Sequence, residues 1–368
     1  MKWSIKIGRL WGIDVFLHVT FLLFLAWAAY STGVGNGLRA ALSVLILLIS
    51  LFTCVLLHEY GHALTARRFG IGTHDITLLP IGGVARLERM PSNPWQELLV
   101  AIAGPAVNLA IALVVGLVLF LKGEAMPRNP ANLLEGGLLW NLLRMNLAMI
   151  FFNMLPAFPM DGGRVLRAAL AMKLPYAKAT RVAATIGQGM AILFAIYALA
   201  SHQYLMLLIA ALVWVGASNE AEAAEEDSLL TGLRVRDAML TDYRRLTPDD
   251  TVQMTVQLIL QGWQADFPVV NNGELVGMVT RQDVVTALGA GDSLQPVSGF
   301  MRPVHAHCSP DEALDTSLET LRKSELPLLP VLSGGRLIGL LNSENILEAM
   351  MFRRALSQRR LPPLPVPA

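Results

Sequence analysis

His58 and His62 stand four residues apart, with Glu59 beside the first, in the run Leu56-Leu57-His58-Glu59-Tyr60-Gly61-His62. On a helix this spacing puts both imidazoles on one face, one turn above the other, where they can share a single zinc ion. Glu59 then stands where a general base toward a water on that ion would be needed. The sequence around them, from Ala40 to Ala66, is otherwise nearly all apolar. A carboxylate between two imidazoles is costly at membrane depth, so its presence there points to function.

A catalytic zinc typically takes three protein ligands and keeps one position open for water. The best third ligand in the chain is Asp161, at the end of Asn153-Met154-Leu155-Pro156-Ala157-Phe158-Pro159-Met160-Asp161-Gly162-Gly163. Two prolines three apart cannot continue a regular helix, and the paired glycines permit an unwound turn. Irregular backbone at membrane depth is tolerated where protein buries it or where it lines a cavity. Asp161 can equally cap a helix that starts near Arg164. His18 is read as a packing contact or a cavity residue, and His74, His202, His305 and His307 as structural or solvated.

These residues need a membrane scaffold, and the composition supplies one. Of 368 residues, 54% are hydrophobic and only 15% charged, with a mean hydropathy of +0.50. Apolar runs long enough to span occur at 13–33, 40–66, 97–121, 138–155, 182–200 and 203–219. Six spans put both termini on one side. Lys2, Lys6, Arg9, Arg67, Arg68, Arg86, Arg89, Arg164, Arg167, Lys173, Lys178 and Arg181 fall on that side, against Arg39, Lys122 and Arg128 on the other, so the termini are expected in the cytoplasm. His58 lies nine residues before Arg67, roughly 14 Å along a helix and near the middle of a hydrocarbon core about 30 Å thick. A net charge of +1 without a basic tract gives no reason to expect nucleic acid. Cys54 and Cys308 are not expected to pair, and no cleavable signal peptide is expected.

Two stretches interrupt the helical pattern. Residues 76–87, Ile-Thr-Leu-Leu-Pro-Ile-Gly-Gly-Val-Ala-Arg-Leu, read as a hairpin. It is either a connector or an exposed strand edge able to pair with an extended peptide. The third span carries Gly104-Pro105-Ala106-Val107-Asn108, residues suited to packing against a neighbouring helix. Arg144, one turn into the fourth span, has no assigned role.

Taken together, His58-Glu59-x-x-His62 and the Asn153-to-Gly162 motif in this order resemble the intramembrane site-2 protease family of zinc metalloproteases, over roughly residues 1–220. The resemblance implies His58, His62 and Asp161 as ligands and Glu59 as general base. It implies that Asn153 holds the substrate backbone or the developing oxyanion, and that the hairpin at about 76–88 guides an unwound substrate segment. Met160 stands where the family usually has Leu, a change that conserves volume.

After the polar stretch 220–227, the chain matches itself at an offset of 62. Val235 and Met239 pair with Val297 and Met301, Pro268-Val269 with Pro330-Val331, and Gly273 and Gly277 with Gly335 and Gly339. Each copy reads helix, strand, hairpin, helix. The copies resemble cystathionine-β-synthase-type (CBS) modules, which pair and commonly bind adenine nucleotides. The resemblance implies Thr280 facing phosphate and Asp283 facing the ribose hydroxyls. Asn342 and Asn345 replace them in the second copy, which argues for one strong AMP or ATP site at most. A CBS pair used only for dimerisation or docking stays open. The tail Leu361-Pro362-Pro363-Leu364-Pro365 is expected to be disordered.

The expected fold is a polytopic α-helical membrane protein of about six transmembrane helices with a small β-hairpin or sheet, joined to a cytoplasmic α/β CBS pair. Expected boundaries are 1–220 for the metalloprotease, 221–232 for a linker, 233–290 and 291–352 for the two modules, and 353–368 for the tail. The expected activity is zinc-dependent hydrolysis of a peptide bond in or near the span of a membrane protein. A single-span partner such as a membrane-bound transcriptional regulator would be the substrate, with adenine nucleotide as regulator and a homodimer possible through the CBS modules. The alternative is a metal or solute transporter gated by the CBS pair. It leaves Glu59 unexplained, since a transport site has no need of a base.

Overall fold

The computed structural model describes residues 3–359, apart from 92, 126, 128–136, 263 and 325. Arg128 and the proline-rich stretch 361–365 lie outside the described residues. The chain forms two compact units, Met1–Ala224 and Glu225–Ala368.

The first unit opens with strands β1 (Ser4–Leu10) and β2 (Ile13–His18). Their two-residue turn has positive φ at both Trp11 (49°) and Gly12 (84°), the turn geometry that matches strand twist. The first apolar run therefore starts as a strand rather than a span. Ile13 and Val15 are buried while the residues between and after them are less so. Helix α1 (Val19–Arg68) follows, with His18 as its N-cap: His18 Nδ1 accepts from the backbone N–H of Thr20. Gly37, at φ 81° and ψ 176°, breaks the helical backbone, so α1 is two helical segments joined at a kink.

Strands β3 (Thr73–Leu79) and β4 (Gly82–Leu87) complete a four-stranded sheet in the order β1-β2-β3-β4. β2 and β3 run parallel, with α1 as the crossover between them, and β4 is an edge. Ile13, Val15 and Ile76 pack against Tyr60 and Ala63 of α1, on the far side of that helix from the histidines.

Helix α2 (Pro94–Leu121) starts at an Asn93 cap with Pro94 in its first turn, where a missing N–H costs nothing. Helices α3 (Gly137–Asn153), α4 (Asp161–Ala171), α5 (Tyr176–Ala200) and α6 (Tyr204–Leu230) follow. α1, α2, α5 and α6 are long and apolar enough to cross a membrane. With α1 counted as two segments and the 17-residue α3 added, the described helices reach the expected six. The stretch read as a linker, 221–232, is helical through Leu230. Arg144 donates to Asn141 Oδ1 at 2.6 Å and to the carbonyl of Trp140.

The second unit repeats one pattern twice. α7 (Val252–Gln261), β5 (Phe267–Asn271), β6 (Glu274–Val279) and α8 (Arg281–Gly289) are matched by α9 (Leu314–Lys323), β7 (Leu328–Ser333), β8 (Arg336–Asn342) and α10 (Ser343–Arg359). Both ends of α7 map onto α9 at the offset of 62. The copies clasp reciprocally, with Leu240 bridging Leu340 of β8 and Arg302 bridging Met278 of β6. A Cβ at Gly277 would come within 2.8 Å of Met301 Sδ, and one at Gly339 within 3.0 Å of Met239 Sδ. The matched glycines are thus where each copy seats the other's methionine. α10 carries helix past 352, where the tail was expected to begin. Cys308 is buried, and burial pushes its thiol up to about 12, which leaves it an inert core residue.

Candidate metal centre

The centre lies between the second segment of α1 and helix α2. His58 and His62 are both buried, and their Nε2 atoms are 3.1 Å apart. Asp161 Oδ2 is 3.2 Å from each. Among the described residues, these three make the one cluster of His, Cys, Asp or Glu side chains able to hold a metal ion.

The four-residue spacing on α1 is met by partners eight residues apart on α2. The carbonyl of Val100 lies 2.7 Å from His62 Nδ1, and Asn108 Oδ1 lies 2.5 Å from His58 Nδ1. A backbone carbonyl can only accept, so His62 carries its proton on Nδ1 and turns an Nε2 lone pair inward. Gly104, midway between Val100 and Asn108, faces the rings. A Cβ there would sit 2.2 Å from His62 Nε2 and 2.7 Å from His58 Nε2. Gly61 works from the opposite side, where a Cβ would stand 2.7 Å from the carbonyl oxygen of Ala103. Small residues on both helices thus let the backbones approach closely.

Asp161 is held by the loop 154–160 and by the first turn of α4. A Cβ at Gly162 would lie 2.3 Å from Leu155 O, and one at Gly163 2.7 Å from the backbone of Ala157. α4 is itself fixed by Arg167, which is 1% exposed. Its Nε donates to Glu97 of α2 at 2.7 Å and its Nη1 to Glu220 of α6, and its guanidinium lies 5.1 Å from the Phe158 ring and 5.0 Å from that of Tyr176. Arg167 is therefore a buried anchor and not the surface cation that a count of loop charges makes it.

Glu59 is half-buried and points toward the sheet. Its Oε2 accepts the backbone N–H of Ala85 on edge strand β4 at 3.2 Å. A Cβ at Gly83 would meet Glu59 Cγ at 2.7 Å, so that glycine makes room for the carboxylate. Asn153 closes α3 and is half-buried; the groups that hold the imidazoles come from α2 instead. Val100, Gly104, Asn108, Glu97 and Arg167 escape the sequence reading as site residues. The visible signals were an Asn, a Gly and a Glu inside an apolar span.

In the second unit, Thr280 caps α8 and forms a reciprocal capping box with Asp283. Asp283 Oδ2 accepts from Thr280 Oγ1 at 2.6 Å, and Oδ1 accepts from Arg302 at 2.7 Å and 2.6 Å. Thr280 and Arg302 line a cleft of about 890 Å³ together with Asn342 and Asn345 of the second copy, whereas Asp283 sits behind them. The carboxylate expected to face a ligand is thus engaged by Arg302 and by its own helix cap.

The chain matches two families of known proteins. The profile of peptidase family M50 matches residues 46–144 and 136–195, and that of the CBS domain matches 235–290 and 297–352. A zinc metalloprotease of Methanocaldococcus jannaschii is 34% identical over 354 residues, covering 95% of this chain and 97% of that protein. Stage IV sporulation protein FB of Bacillus subtilis is 30% identical over 171 residues, 46% of this chain and 54% of that protein. The solved site-2 protease from Methanocaldococcus jannaschii is 37% identical, covers 60% of this chain and 95% of that one, and superposes with a TM-score of 0.44. The metalloprotease from the archaeon matches over nearly the full length, which sets the transporter alternative aside. The chain belongs to peptidase family M50, the site-2 protease family of zinc metalloproteases, and carries two CBS domains.

Proposed function

We propose that His58, His62 and Asp161 hold one zinc ion and that Glu59 is the general base of an intramembrane endopeptidase. The observation that carries this reading is the convergence of the three donors. Two buried imidazoles and a carboxylate bring lone pairs within hydrogen-bond distance of one another. Such a cluster is repulsive unless a cation or shared protons sit among the donors, and zinc suits this donor set. A zinc ion held by these three residues would supply Lewis-acid chemistry, polarising a carbonyl and acidifying water. Glu59 takes the proton from the attacking water and delivers it to the leaving amine. Asn153 is assigned to hold the substrate carbonyl.

The substrate is a single-span membrane protein, such as a membrane-bound transcriptional regulator, whose helix unwinds on entering the cavity. The edge position of β4 supports strand pairing as the mode of recognition, because the N–H of Ala85 points out of the sheet, where Glu59 accepts it and would have to yield it to a paired strand. The charge distribution supports a cytoplasmic placement of both termini and of the CBS pair. Boundaries at 1–220, 221–232, 233–290, 291–352 and 353–368 are kept as a working division, amended by the helix through Leu230 and by α10. Adenine nucleotide, AMP or ATP, is assigned to the cleft beside Thr280 and Asp283, with Arg302 yielding the carboxylate to the ribose, and the CBS pair is also the surface assigned to homodimer formation.

Glu59→Gln tests the central claim. The purified variant should keep about one zinc per chain and lose hydrolysis of a membrane-embedded substrate by at least a hundredfold. Full activity in this variant would end the protease assignment of Glu59.

A further inference from the structure

Asn146 is fully buried in α3 and touches none of the three donors, yet it is hydrogen-bonded to the side chain that orients one of them. Asn108 Nδ2 donates to Asn146 Oδ1 at 2.8 Å, while Asn146 Nδ2 donates to the carbonyl of Leu142 at 2.8 Å and lies 3.4 Å from Cys54 Sγ. Asn108 Nδ2 also lies 3.7 Å from Met149 Sδ. The Leu142 carbonyl can only accept, and that fact sets the direction of everything beyond it. Asn146 must turn its amide N–H toward Leu142 and its oxygen toward Asn108. Asn108 must then turn its N–H toward Asn146 and its oxygen toward His58. His58 in consequence carries its proton on Nδ1 and offers an Nε2 lone pair.

Without this constraint the other tautomer is favoured when no cation is bound. A proton on His58 Nε2 would be donated to Asp161 Oδ2, 3.2 Å away, and the site would close on itself. We infer that Asn146 is a positioning residue which, acting through Asn108, selects the metal-ready tautomer of His58. A buried amide inside a membrane helix needs such a reason, because an apolar residue there carries no desolvation cost.

The inference rests on the zinc reading, and the test separates the two. The full-length chain in detergent is titrated with zinc against a competing chelator, and its cobalt-substituted absorption spectrum is recorded. If the wild type binds no zinc, the underlying reading fails. If it binds zinc, Asn146→Ala should weaken affinity about 10–100-fold, the range typical of groups that orient a ligand. Asn108→Ala should weaken it by a similar factor. In the Asn108→Ala background, Asn146→Ala should add less than about twofold, because the amide that links it to His58 is gone. Cys54→Ala removes another neighbour of Asn146 without altering the direction of the chain, and should leave affinity within about twofold. Wild-type affinity in Asn146→Ala, or equal losses in both backgrounds, would overturn the inference. A measurement needing no variant stands beside these. Nitrogen-15 spectra of histidine-labelled, zinc-free wild type should report His58 protonated on Nδ1, and an Nε2–H tautomer refutes the relay.

Discussion

Gly104→Ala is a one-methyl change at a residue that is neither an acid, a base nor a ligand. The added Cβ would stand 2.2 Å from His62 Nε2, whereas ordinary contact begins at 3.4 Å, so a gap of about 1.2 Å must open. The rings cannot simply swing away, because each Nδ1 is tied to α2 itself, at Val100 and at Asn108. A retreat of α1 by the same distance would pull Gly61 from its seat against the carbonyl of Ala103. A displacement near 1 Å in a catalytic constellation costs about 10²-fold, or roughly 2.7 kcal/mol of transition-state stabilisation. Alanine favours helix over glycine by about 1 kcal/mol, so α2 itself should not suffer. Gly116, on the same helix with nothing within 4 Å of an added Cβ, is the matched control. The assay is zinc content per chain together with cleavage of a reporter helix in proteoliposomes. Gly104→Ala should lose zinc occupancy and at least about a hundredfold in turnover, while Gly116→Ala should match the wild type. Normal zinc content and turnover in Gly104→Ala would refute the claim that this glycine makes the space the metal needs.

Ala85→Pro removes the N–H that Glu59 now accepts and that a paired substrate strand would use. Cleavage should fall at least about tenfold with zinc content unchanged, and unaltered turnover would leave β4 a connector. Arg167→Leu strands Glu97, itself 1% exposed, as an unpaired buried charge, and should cost about 3–5 kcal/mol of stability in thermal or denaturant melts; combining it with Glu97→Gln should restore a large part. Asp283→Ala should abolish calorimetric binding of AMP to the full-length chain, Arg302→Ala should tighten it, and Asn345→Ala should leave it unchanged; no binding by the wild type would make the CBS pair a docking unit. Burial pushes the Asp283 carboxyl up, but Arg302 and Thr280 outweigh it and hold the group below the ordinary carboxylate range. Its stabilising effect is then complete above about pH 4 and declines as pH falls through the folded-state value, so the melting points of wild type and Asp283→Asn should converge in acid.

The parts of this chain that show in one dimension and the parts that do not differ for a physical reason. The histidine pair, Glu59 and the Asp161 loop are local: a spacing of four, or two prolines and two glycines in a row, has its meaning within one or two turns. The repeat of the second unit is legible for the same reason, although only the folded chain explains why Met239 and Met301 recur with Gly339 and Gly277, each methionine resting on the other copy's glycine. Residues 13–18 are misread because a strand that runs straight into an apolar helix has the same mean hydropathy as the helix, and only the burial of Ile13 and Val15 under α1 tells them apart. Arg167 is misread because a cation near a helix end looks like a loop charge until Glu97 and Glu220, far away in sequence, close on it.

The residues that orient the histidines stay hidden for a further reason. Their identities depend on the register of α1 against an antiparallel α2, which sets Val100 opposite His62 and Asn108 opposite His58. No period within either helix contains that register. It is set by how closely two backbones approach, and therefore by Gly61 and Gly104, whose contribution is the absence of a side chain. The chemistry of the site is written in its polar residues, whereas its geometry rests on two glycines and on a buried amide chain that ends at one backbone carbonyl. Substitutions at Gly61, Gly104 and Asn146 should consequently damage metal binding more than many changes at charged positions, although none of the three is among the donors His58, His62 and Asp161.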